Sequence, residues 1–217
     1  LSGDLDPDKT VASIEKYFGN WKPSAHIDVP QFPAQPALTA PVDTTVVGKE
    51  APMLFMGWRA DASKSLQLDT LEVIAQLLSN GQAGLFDLDL SQKLKVQEVS
   101  AGIADMDEYS VFYVYGQPKS GQTLQEVRSL ALSEIEKLKK GNFSDDLLPS
   151  IVNNYKRYYY TQLDNNQFRA KQYVDAFINH KDWKQEVDKL NRISKLTKAE
   201  IVKFANQFFR NDFACVY

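Results

Sequence analysis

The chain has 217 residues, 43% hydrophobic and 24% charged. These are ordinary globular values, which exclude a wholly disordered chain or a fibrous repeat and allow one large domain or one and a half. Its 25 Lys plus Arg against 28 Asp plus Glu give a net charge of −3, without the basic excess or stripe of a nucleic-acid binder.

The first residues, Leu1-Ser2-Gly3-Asp4, open as if inside an element, so the chain is expected to be a piece of a longer one. The absence of a leader pattern therefore carries no weight for the parent. Asp6 as cap, Pro7 at the first helical position and the stripe Val11, Ile14, Phe18 predict a helix that Gly19 stops. Five prolines (Pro23, Pro30, Pro33, Pro36 and Pro41) then suit neither a helix nor a central strand. Residues 1–22 are thus expected to be the tail of a preceding domain, 23–41 a stiff linker, and 42–217 the main body.

Within the body, Thr44 to Val47 and Pro52 to Arg59 read as strands, the second a nearly continuous apolar run. A helix through Leu71, Ile74, Ala75 and Leu78 ends at Asn80-Gly81, and Gly84 opens a second, short one through Leu85, Phe86 and Leu90. Gln97 to Ala104 and Tyr109 to Gly116 form a strand pair. Thr123 caps a long helix striped by Leu124, Val127, Ala131, Ile135 and Leu138, which Gly141 stops. Another helix starts near Ser144, where Pro149 is expected to kink or delay it. Asn165 to Asn179 and Trp183 to Ile193 follow as helices. Thr197 with Glu200 is a capping box ahead of Ile201, Phe204, Ala205 and Phe208. Phe213 to Tyr217 is a final strand. This order predicts an α+β domain with a largely antiparallel sheet and helices packed on one side.

Candidate chemistry is thin. Gly116 to Thr123 lies where a phosphate-binding loop belongs, but Gln122 stands where the lysine is needed and Pro118 removes a backbone donor. A plain strand-to-helix connection is the better reading. Gly81-Gln82-Ala83-Gly84 matches a backbone clamp for nucleic acid, yet no cluster of Lys or Arg supports it. Lys156-Arg157-Tyr158-Tyr159-Tyr160 mixes charge and aromatics like a stacking platform. On a helix, however, Tyr155 and Tyr159 fall on the core stripe while Lys156 and Arg157 face water. His26 and His180 are isolated, and with the single Cys215 they give no zinc set. No G-x-S-x-G elbow supports a Ser-His-Asp triad. The pairs Asp87 with Asp89, Asp105 with Asp107 and Asp145 with Asp146 are accounted for by caps and turns. No apolar run approaches the ~20 residues that span a bilayer.

The linear order of segments is more informative. Ser2-Gly3-Asp4-Leu5-Asp6-Pro7 followed by Ile14-Glu15-Lys16-Tyr17-Phe18-Gly19 resembles the closing strand and helix of a domain in the pitrilysin/insulinase family of zinc metallopeptidases. Ala51 to Arg59, the helix to Leu78, the glycine break Gly81 to Gly84, and Val99-Ser100-Ala101-Gly102 follow that family's order. So do Leu196-Thr197-Lys198-Ala199-Glu200-Ile201, Phe204-Ala205 and the terminal strand.

The resemblance implies the second, non-catalytic domain of one half of such a peptidase. It places the zinc, the H-x-x-E-H helix and the general base in the domain before this one, so this chain is expected to hold no catalytic, cofactor-binding or metal-ligating residue and to be inactive alone. The Arg and Tyr with which the family's last domain contacts substrate align with Leu90 and Gln97. The implied role is part of the wall of a peptide-enclosing chamber. The implied partners are the other domains or the complementary half of the parent, with peptide engaged only indirectly and no nucleic acid or membrane span. Export to the periplasm or cell envelope is favoured by the resemblance alone. The alternatives are a scaffold subunit of the same superfamily without protease activity, and an unrelated α+β binding module.

Overall fold

A computed structural model describes residues 1–26 and 32–217. Pro30, in the predicted linker, lies outside the described residues. Helix α1 spans Pro7–Phe18, with Asp6 accepting from the Lys9 amide at 3.1 Å. It buries none of its residues: Val11 is 54% and Phe18 50% exposed. Residues 32–41 run without helix or strand.

The body builds one five-stranded sheet from β1 (Val42–Thr44), β2 (Leu54–Ala60), β3 (Glu98–Ala104), β4 (Ser110–Gln117) and β5 (Ala214–Val216), in the order β1-β5-β2-β4-β3. Only the β1–β5 pair is parallel. The first predicted strand, Thr44 to Val47, is displaced towards the N-terminus. Its position is set by pairing with β5, Val42 opposite Ala214 and Thr44 opposite Val216, which local composition does not encode.

The helices are α2 (Gln67–Leu78), α3 (Leu124–Lys139), α4 (Leu147–Gln162), α5 (Asn166–Ile178), α6 (Trp183–Lys195) and α7 (Lys198–Phe208). Capping boxes start α3 at Thr123 with Glu126 and α7 at Thr197 with Glu200. Pro149 delays rather than kinks: α4 begins at Leu147, which puts the proline in the first turn, where amides have no intrahelical partner to lose. The short helix opened by Gly84 runs from Leu85 into a π-helical turn at Asp87–Ser91. A Cβ on Gly84 would lie 2.5 Å from the Leu78 carbonyl oxygen, so the close approach requires glycine.

Strand alternation sends Leu54, Met56 and Trp58 of β2 and Phe112 and Val114 of β4 to one face, all at most 2% exposed. The stripes of α2 (Leu71, Ile74, Leu78), α3 (Val127, Ile135, Leu138) and α7 (Ile201, Ala205) close over that face. Trp58 packs within 5.2 Å of Phe209 and 4.8 Å of Phe213, and its indole N–H donates to the Arg210 carbonyl at 3.1 Å. The core is thus a helix layer on one side of a mostly antiparallel sheet, the α+β arrangement expected from the order of elements.

Candidate functional site: the uncovered sheet face

The residues singled out from the sequence do not converge. His26 and His180 are exposed, whereas Cys215 is fully buried under the helices and burial pushes its thiol pKa up. Among the described residues, no three His, Cys, Asp or Glu side chains gather where a metal could sit.

Lys119, Gln122 and Thr123 of the Gly116 to Thr123 loop are spent on the protein itself. Gln122 accepts from the Lys119 amide at 3.2 Å and donates to the Lys95 carbonyl at 2.9 Å, and the Lys119 ammonium donates to the Leu94 carbonyl at 3.2 Å. The Gly81 to Gly84 turn is likewise occupied. Asn80 accepts from the Gln82 and Ala83 amides at 3.0 and 2.9 Å, and Asp87 accepts from the Asn80 and Gly84 amides at 2.9 Å each. The Asn80, Gln82, Ala83 and Gly84 amides that a phosphate would use there are already taken.

The remaining acidic candidates sit in ion pairs or at element ends. Asp89 binds Lys93 and Lys137 at 2.6 Å each. Asp105 pairs with Lys181 at 3.0 Å, and Asp145 with Lys198 at 2.6 Å. Leu90, aligned with the family's substrate-contacting Arg, is fully buried core, and Gln97 lies exposed beside the first residue of β3. Tyr158 and Tyr160 are exposed, whereas Tyr155 packs against the core.

What the fold does assemble is a sheet face with no helix on it among the described residues. The alternation that buries Phe112 and Val114 turns Val111, Tyr113 and Tyr115 the other way. Register then sets Phe55 of β2 opposite Tyr115 and opposite Val216 of β5. The Phe55 ring lies 5.1 Å from that of Tyr115 and 6.5 Å from that of Tyr113. Gly102 of β3 pairs with Tyr113, and its missing Cβ leaves room for that phenol: a Cβ there would lie 2.6 Å from the tyrosine hydroxyl. Phe55 is 41%, Val216 39% and Val42 46% exposed. At one end of the stripe Arg59 stacks 4.9 Å over Tyr109 and donates to the Gln35 carbonyl at 3.0 Å, which draws residue 35 over that end. Chemically the face offers aromatic and branched apolar contact area, with the Arg59 guanidinium and, on β3, Ser100 and Glu98 as its polar groups.

Sequence reasoning missed these residues as a site because it assigned the apolar runs to the core. The signal was present nevertheless: in β4 both alternating sets are apolar, as expected of a strand covered on both faces.

A family model described as Peptidase M16 inactive domain matches residues 1–155. The chain belongs to this family. Its pitrilysin/insulinase-type, non-catalytic character follows from that match. The zinc protease PqqE of Helicobacter pylori is 23% identical over 218 residues, covering 96% of this chain and 48% of that protein. The chain thus spans about half the length of its curated relative.

Solved structures of the M16 type share the fold. A protease from Helicobacter pylori superposes with a TM-score of 0.90 at 19% identity over 99% of this chain and 53% of the other. The first half of the periplasmic protease PqqL from Escherichia coli gives 0.76 at 12% identity, with 99% and 49% covered. The M16 inactive domain from Pseudomonas fluorescens gives 0.77 at 11%, with 99% and 51% covered. Among the described residues no helix is long and apolar enough to cross a membrane.

Proposed function

We propose that this domain forms part of the wall of a peptide-enclosing chamber in a zinc metalloendopeptidase, with residues 1–22 belonging to the preceding domain and 23–41 linking the two. The observation that carries the reading is the uncovered face of Phe55, Tyr113, Tyr115 and Val216. Phe55 and Val216 are exposed and Tyr113 and Tyr115 half-buried beside them, and apolar surface grouped in this way marks an interaction site. Aromatic side chains on a rigid sheet suit extended, sequence-variable peptides, because they supply contact area at low entropic cost.

Among the described residues no side chains gather into a zinc site. In this reading the metal and the water it would activate belong to another domain of the parent, and this domain supplies chamber wall. The relatives described as periplasmic support the same compartment for the parent.

The test uses the full-length protein carrying this domain, with a photo-crosslinking residue placed at Phe55, at Tyr115, or at Lys171 on the outer side of α5. Capture of a peptide substrate at 55 and 115 but not at 171 is expected. Equal capture at all three positions, or none at 55 and 115, overturns the reading. Capture without any zinc-dependent cleavage favours the scaffold alternative.

A further inference from the structure

On the helical side, α2, α4, α5 and α6 enclose a cleft with two ends of unlike chemistry. One end, about 170 Å³, is lined by Tyr158, Tyr159, Phe168, Val187 and Leu190. The other, about 210 Å³, is polar and contains Ser63 at the entry to α2. Glu72, Tyr155, Glu186 and Lys189 line both and form the divide between them.

Two polar groups, Ser63 and Glu186, lack direct partners among the described residues. The Ser63 hydroxyl is 4% exposed and makes no hydrogen bond, although burying an unpaired hydroxyl is costly. Glu72 pairs with Lys189 at 2.7 Å, and Asp69 is held by Arg192 at 2.8 Å. Among the described residues Glu186 has no ion pair within 4 Å, although it lies near enough to Lys189 to support its charge. Burial opposes the Lys189 charge, but Glu72, Asp69 and Glu186 together hold its pKa above the ordinary lysine value. Burial, then Glu72 and Asp69, push the Tyr155 phenol up, so it stays a neutral donor. At the divide, two carboxylates therefore face one ammonium. The unpaired lysine of the polar end, Lys64, is exposed at its rim and does not line the aromatic end.

We propose that this cleft binds a small amphipathic monocation: an ammonium group beside Glu186, attached to an aromatic or branched apolar body seated against Tyr158, Tyr159 and Phe168. The ammonium supplies the charge that the divide lacks and lies among π faces that favour a cation. A polar substituent reaching the other end would meet the Ser63 hydroxyl. The site is of the small-molecule kind, concave and mostly apolar with a few convergent polar groups, and lies across the sheet from the uncovered aromatic face.

Calorimetry on the 217-residue chain with phenethylamine tests this, with 2-phenylethanol and phenylacetate as neutral and anionic analogues. Saturable binding of phenethylamine is expected, with both analogues at least tenfold weaker. E186Q should weaken phenethylamine at least tenfold while the chain still unfolds cooperatively with at most a small drop in thermal midpoint, because Glu186 supports Lys189 only at longer range and makes no direct ion pair. L190W, which fills the aromatic end, should abolish binding. A phenethylamine titration with no saturable heat, equal affinity for 2-phenylethanol, or unchanged affinity in E186Q would each overturn the proposal.

Discussion

Replacing Asp89 with asparagine tests how the π-helical turn is fixed to α3. Asp89 accepts from Lys137 of α3 and from Lys93, both at 2.6 Å. These hydrogen bonds, Lys137 first, bring its pKa from 3.8 to about 2. At 1.36 kcal/mol per unit this corresponds to about 2 kcal/mol of stability at neutral pH. The side chains of Lys93 and Lys137 are 57% and 39% exposed, and solvent screening reduces the figure to about 1–2 kcal/mol.

A depressed carboxylate pKa stabilises fully above the unfolded value, and the contribution is lost as pH falls through the folded one. The stability difference between wild type and D89N, from urea unfolding across pH, should therefore be steady from pH 7 to about 4 and vanish towards about 2. Glu134, 2% exposed beside the same lysine, has its pKa raised chiefly by burial. That shift has the opposite sign and is present in both proteins, so it largely cancels in the difference. A D89N protein as stable as wild type at pH 7, or a loss independent of pH, would refute the ionic account.

G84A should destabilise by about 2 kcal/mol in the same assay, since the added methyl meets the Leu78 carbonyl and the Asp87 carboxylate; a more stable G84A would show that the turn relaxes freely. Hydrogen exchange should find α1 far less protected than α3, because α1 buries nothing; equal protection would place α1 in the core of the body. Metal analysis of the purified chain should find no stoichiometric zinc, because His26, His180 and Cys215 offer no tetrahedral set; one tightly held zinc per chain would contradict this. T197A should cost about 1 kcal/mol, the usual worth of a lost N-cap, and an unchanged midpoint would argue that packing alone starts α7.

What was legible in the sequence was what is local. The capping boxes at Thr123 and Thr197, the stop at Gly141 and the stripe of α3 all lie within a few residues of the structure they dictate. The short edge strand β1 was misplaced because its register belongs to β5. The Arg192–Asp69 contact, 123 residues apart in sequence, is beyond any local reading. The aromatic face was visible as apolar letters, but its role was not. A run such as Val111 to Tyr115 says that both sides of a strand avoid water; only the placement of every helix reveals which side this chain leaves open.

The parallel pairing of β1 with β5 also bears on folding order. Among the described residues β1 neighbours β5 alone in the sheet, and the Tyr217 amide donates to the Thr44 carbonyl at 2.9 Å. During synthesis the stretch at Val42 therefore waits, unpaired, until nearly the whole body has left the ribosome. β2 can meet β4 much earlier, while its β5 edge stays open until the same moment. Within the sheet the widest sequence separations are at the two β5 pairings, with β1 and with β2, so these are expected to close late and to leave an open edge until they do.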